Sequence, residues 1–160
     1  MPKPKISKPA ADSVEAKATD AAPKTRARVS KAKAAAPAPV VAIDPEEALA
    51  RLCADGALDK KAENAVILDM RSISSFTDFF VIVSGTSDPQ LKAIASSIRG
   101  RVRDATNLRP LAEDGFPGSQ WVIIDYGSVI VHIFHTEKRD VYGLETLWGD
   151  ARRIDIPSQQ

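Results

Sequence analysis

Two histidines, one cysteine and a few aspartates are the residues whose types could carry metal or nucleophilic chemistry in this 160-residue chain. His132 and His135 stand three apart in an apolar run that reads as a strand. Side chains alternate along a strand, so the two imidazoles point to opposite faces and cannot share an ion without a bulge. No cysteine lies near them. Cys53 sits in an apolar helical pattern with no histidine nearby, which points to a buried, inert thiol in a reducing compartment. Neither a G-x-S-x-G elbow nor a Walker A run occurs. These residues indicate no catalytic centre, no metal site and no cofactor.

Gly85-Thr86-Ser87-Asp88 lies between an expected strand and an expected helix. Free N–H groups at a helix start can hold a phosphate, and nucleotidyltransferases enter a helix through such a Gly-Ser turn. Those enzymes also need two or three carboxylates converging on metal ions. Asp69-Met70-Arg71 and Asp125-Tyr126-Gly127 each offer a single aspartate beside an unhelpful neighbour, and Asp88 would repel a phosphate. The turn reads as a capped helix start, and a nucleotide-binding or nucleotidyltransferase-type enzyme is the alternative.

The elements that must position these residues follow from patterning. Asp44-Pro45-Glu46-Glu47 is a helix start, with Asp at N-cap and Pro at N1. Apolar spacing at Ala48, Leu49, Leu52 and Cys53 carries that helix, weakened by Gly56, to about Ala62. The run 65–70 is a short strand, and 79–84 is a central strand with both faces covered. A second helix runs over about 89–105, with Leu91, Ile94, Ala95, Ile98, Val102 and Ala105 on one stripe. Residues 109–113 form an edge piece, and Gly115-Phe116-Pro117-Gly118 a loop. Residues 120–125 and 129–135 pair as a hairpin turning at Tyr126-Gly127, which sets Asp125 opposite Ser128 and Trp121 opposite His132. Val122, Ile124, Val129, Val131 and Ile133 then line a core face. The other face mixes Trp121, Asp125, Ser128 and His132 with apolar residues, and the pattern leaves open whether it is core or exposed surface. A last helix covers about 137–148, with Val141, Leu144 and Trp148 on its buried side. The expected fold is α/β: a single domain, a mixed sheet of about five strands and flanking helices.

Charge divides the chain. Residues 1–43 hold nine Lys/Arg against three Asp/Glu, a net of +6. Residues 44–160 hold thirteen basic and eighteen acidic residues, a net of −5. The first segment is Ala/Pro/Lys-rich without an aromatic residue and reads as a disordered tail, suited to a weak contact with RNA, and an RNA-binding adaptor acting through it is a further alternative. It lacks a secretory apolar core, and Asp12, Glu15 and Asp20 argue against an organelle address. The acidic remainder suits a basic protein partner better than a phosphate backbone. No run is long and apolar enough for a membrane span. Residues 152–160 read as a frayed end.

From about Lys60 to Ala151 the chain resembles the ribosomal silencing factors, or Iojap-like proteins. The resemblance rests on Lys60-Lys61-Ala62-Glu63, on Ser74-Ser75 with Thr77-Asp78-Phe79-Phe80-Val81-Ile82, and on Ser84-Gly85-Thr86-Ser87-Asp88. It continues through Trp121 to Gly127, Val131-His132-Ile133-Phe134-His135 and Leu144-Glu145-Thr146-Leu147-Trp148. It implies a nucleotidyltransferase-like fold without catalytic acids and a bacterial, cytoplasmic, non-enzymatic repressor of translation. Such a protein binds ribosomal protein L-fourteen on the large subunit and blocks docking of the small subunit when nutrients are scarce. The implied contact residues are Trp121, Asp125, Tyr126, His132, Tyr142 and Leu147. The implied state is a monomer on the ribosome, with a homodimer open to the free chain. Ser128, Gly143 and Phe116-Pro117 depart from the family pattern, at the interface rim, in the last helix and in the loop before Trp121.

Overall fold

The computed structural model describes residues 42–115 and 118–157. The expected tail falls outside them apart from its last two residues, as do Phe116 and Pro117 of the expected loop. The chain divides into Met1–Pro37, which is outside the described residues, and Ala38–Gln160, which holds every element.

α1 (Pro45–Leu58) begins as its sequence dictates. The Asp44 carboxylate accepts from the Glu46 N–H at 3.0 Å, and Pro45 needs no partner for a missing N–H. The helix stops at Leu58, short of Ala62, because the chain turns through Lys61 at φ 57. Gly56 has a packing role. A Cβ there would lie 3.0 Å from Ile98 Cα, so its absence lets α1 press against α2 (Asp88–Thr106). Ser87 caps α2 by accepting from the Gln90 N–H at 3.3 Å. Five of the six stripe residues are buried, while Ala105 is exposed beyond the edge of the sheet.

The sheet has six strands in the order β3-β4-β5-β2-β1-β6. β2 (Phe79–Gly85) is buried along its whole length, as a strand covered on both faces must be. It pairs in parallel with β5 (Val129–His135) and antiparallel with β1 (Glu63–Asp69). β4 (Trp121–Asp125) and the edge strand β3 (Ala112–Asp114) extend the β5 side antiparallel. To the five expected strands the structure adds β6 (Arg152–Ile154), which pairs with β1 through Ile67 and Ile154. These residues are therefore not frayed. One inward isoleucine in a three-residue strand gives too little alternation to read.

Two further expectations change. The hairpin turns at Gly127-Ser128, with the Tyr126 N–H donating to the Val129 carbonyl at 2.9 Å. Gly127 has φ +87, a left-handed backbone that the first loop position of such a turn demands and that glycine meets without strain. Trp121 thus opposes Phe134, and Ile123 opposes His132. The two-residue shift keeps every side chain on its predicted face. The last helix is broken into α3 (Thr136–Tyr142) and α4 (Leu144–Leu147) at Gly143, whose φ is +55. The break turns Val141 out of the core, and it is 72% exposed.

α1 and α2 cover one face of the sheet over Ile67, Val81, Val83, Val122, Ile124, Val131 and Ile133. The other face carries Leu68, Phe80, Ile82 and Phe134, with Ile73, Trp121, Leu144 and Trp148 packed against them.

Candidate protein-interaction face

The second sheet face is aromatic because odd-numbered β4 residues and even-numbered β5 residues share it. Trp121 projects from the start of β4 and His132 and Phe134 from β5. The Trp121 indole N–H donates to His132 Nδ1 at 3.2 Å, which fixes the imidazole as a neutral acceptor at that nitrogen. The Trp121 ring stacks on Phe134 at 5.0 Å, and Tyr142 closes over both, 4.5 Å from Trp121 and 5.8 Å from Phe134. The array continues through Phe80, 4.7 Å from His132, to Trp148 and Phe76. These centroid distances lie in the range where aromatic pairs attract beyond their area burial.

The array is partly open to solvent. Tyr142 is 49% exposed, Phe76 60% and Leu147 70%, beside the exposed Val141. Phe76 is held in the loop between β1 and β2. The Met70 N–H donates to the Asp78 carbonyl at 2.7 Å, and Thr77 Oγ1 donates to the Ser128 carbonyl at 3.0 Å. α3 and α4 are tied by Arg139, whose Nε donates to Glu145 at 2.8 Å and whose Nη1 donates to Ser84 Oγ at 2.9 Å. The same guanidinium holds the Glu145 carboxyl below its ordinary range.

Of the residues predicted to form an interface, Trp121, His132 and Tyr142 are brought together. His132 is buried beneath the other two. Leu147 lies beside Trp148 on α4, exposed. Asp125 is half-buried at the far end of β4, where its Oδ1 accepts from the Gly127 N–H at 2.7 Å and shapes the turn. Tyr126 belongs to the opposite face. It continues the alternation of Val122 and Ile124 into the α1–α2 core, is 8% exposed, and burial pushes its phenol pKa up. Sequence reasoning missed Phe76, Val141 and Arg139. An aromatic residue inside the polar run Ser74-Ser75-Phe76-Thr77 was a signal for the first.

Burial lowers the His132 pKa from 6.5 to about 4, and its Nε2 has no hydrogen-bond partner among the described residues. The unfolded chain therefore binds a proton in this range that the folded chain does not. Stability from this group is complete above pH 6.5 and is lost as pH falls towards 4, up to about 3 kcal/mol. Urea melts across that range should show the loss, and His132→Gln should flatten it. An unchanged slope in the variant would contradict the assignment.

Two amides of the turn after Gly85 are occupied. Gln90 Oε1 accepts from the Thr86 N–H at 2.8 Å, and Ser87 takes the Gln90 N–H. A Cβ on Gly85 would meet Leu91 Cδ2 at 2.9 Å, so this glycine serves the packing of α2 on β2. The Asp69 carboxylate is bound by Arg71 through Nε at 3.0 Å and Nη2 at 2.6 Å, which lowers its pKa. Among the described residues no group of three or more His, Cys, Asp or Glu is placed to hold a metal ion. Among them, too, no helix is long and apolar enough to cross a membrane.

A family model described as "Ribosomal silencing factor during starvation" matches residues 43–160. The chain belongs to the ribosomal silencing factor family. It is 39% identical over 111 residues to the ribosomal silencing factor of Bacillus subtilis, covering 69% of this chain and 93% of that one. It is 40% identical over 108 residues to that of Halalkalibacterium halodurans, covering 68% and 92%. A crystal structure of a Chromobacterium violaceum protein superposes with a TM-score of 0.63 at 25% identity, covering 71% of this chain and 93% of that one. This ribosomal silencing factor is thus built on an open, mixed six-stranded sheet, with the aromatic array on its α3–α4 side.

Proposed function

We propose that this ribosomal silencing factor represses translation by occupying the large ribosomal subunit through ribosomal protein L-fourteen, where it obstructs docking of the small subunit. The observation that carries this reading is the exposed group Phe76, Val141, Tyr142 and Leu147, in which Phe76 and Tyr142 form the open edge of a partly buried array of rings. Rigid aromatics backed by a packed core are the anchors of protein interfaces, because they bury large area at little entropic cost. The acidic balance of residues 44–160 suits a basic ribosomal protein. Steric exclusion requires no chemistry, only a contact of ordinary size, on the order of 1,600 Å². A bacterial cytoplasmic setting fits this role, and the basic residues of 1–43 would add a salt-sensitive grip on ribosomal RNA.

The test is co-sedimentation of the full chain with isolated large subunits, paired with capture of purified L-fourteen. Binding to both is expected. Binding to small subunits alone, or to neither partner, would overturn the reading.

A further inference from the structure

A second charged surface lies on the α1–α2 layer. Arg99, Arg103 and Arg109, with Gly100 and Leu108, line a solvent-open cleft of about 440 Å³ between the last turns of α2 and the segment leading to β3. Arg99 and Arg103 are one turn apart on the same face of α2. Asn107, in the left-handed region at φ 60, reverses the chain and brings Arg109 to the cleft. A Cβ on Gly100 would meet nothing within 4 Å, so the space in front of the helix is open.

The charge there is not balanced. Arg99 pairs with Glu113 at 2.9 Å, while Arg103 and Arg109 make no ion pair among the described residues. Elsewhere Arg51, Arg71, Arg101, Arg139 and Arg153 each lie within ion-pair distance of an acid, and Arg152 alone of the other described arginines does not. The helix dipole accounts for one cation in the last turn of α2, Arg103, but not for Arg109 beyond it. Packing does not explain the pair either, since both side chains are exposed. In a domain of acidic balance, this concentration of guanidinium marks a place for an anion.

We propose that this cleft takes the phosphate backbone of an RNA strand, a proposal that rests on the reading of the chain as ribosome-bound. Planar guanidinium forks match phosphate oxygens in pairs, which an ammonium cannot do. The Arg99–Glu113 pair ties the cleft to β3, and β3 is hydrogen-bonded to β4, which carries Trp121. Cleft and aromatic face therefore flank the same edge of the sheet, on opposite layers. RNA bordering a protein docked on the aromatic face has a route to that edge.

The double variant R103Q/R109Q of the full chain tests this, since residues 1–43 contribute equally in both proteins and both altered side chains are exposed. Three probes are used: isolated large subunits, single-stranded polyuridylate and purified L-fourteen. The slope of log affinity against log salt should become shallower by about two on large subunits and on polyuridylate, with affinity near 100 mM salt reduced roughly tenfold. Binding to L-fourteen alone should be unchanged. Unaltered slopes on both RNA-containing probes would overturn the proposal. So would an equal loss on L-fourteen, which would make the occupant of the cleft a protein. If the parent chain fails to bind large subunits, the ribosomal reading falls, and the polyuridylate slopes still decide the cleft.

Discussion

Tyr142→Ala is expected to weaken binding to isolated large subunits by about 2–4 kcal/mol, roughly 30- to 1,000-fold, while leaving the fold in place. The ring is half exposed, so its removal opens no sealed cavity, yet it stacks on Phe134 and packs tilted against Trp121, which restricts its orientation. A side chain fixed before binding loses little entropy on binding, which is what makes such positions anchors. Tyr126→Phe is the matched control. That phenol lies on the other face of the sheet with no hydrogen-bond partner among the described residues, so its removal should not affect binding and should be neutral or slightly favourable for stability. Equal affinities for Tyr142→Ala and the parent would place the contact surface elsewhere.

Arg139→Ala should be the most damaging single change to stability among the positions discussed. The guanidinium is buried and serves three elements: α3, which carries it, Glu145 on α4, and Ser84 near the end of β2. Its loss leaves the Glu145 carboxylate only Arg153, at 3.9 Å, and removes the partner of the buried Ser84 hydroxyl. Removing one partner of a buried pair costs about 3–5 kcal/mol, and the partial exposure of Glu145 puts this case at the lower end. The urea midpoint should fall accordingly with an unchanged slope. Ribosome binding should weaken as well, since Tyr142 and Leu147 sit on the two short helices that Arg139 joins. A midpoint within error of the parent would show that the helices are held by apolar packing alone.

Much of the layout was legible because the signals were local and redundant. Asp44-Pro45 and Ser87 marked the starts of α1 and α2 by capping chemistry. The stripe through Leu91, Ile94, Ala95, Ile98 and Val102 fixed the buried side of α2. The two faces of the hairpin survived a wrong turn position, because a shift of two residues preserves parity. Parity also shows why Tyr126 was misplaced. It was read as a turn residue, whereas in the β4 alternation it follows Val122 and Ile124 into the core. The break at Gly143 was visible only as a poor helix former. It takes a left-handed conformation there, and Arg139 and Glu145 meet across it, a contact that no local pattern encodes. β6 was invisible for a similar reason, since its existence rests on pairing with β1, more than eighty residues earlier in the chain. For the proposed interface, residue types pointed to Trp121 and Tyr142, but the exposure of Phe76 needed the loop geometry.

Exclusion at the subunit interface is tested most directly by preloading large subunits with the full chain, adding small subunits, and following joining by light scattering and gradient sedimentation. Joined ribosomes should fail to form in proportion to occupancy, and Tyr142→Ala should restore them. Recovery of complete ribosomes that still carry the chain would contradict the account.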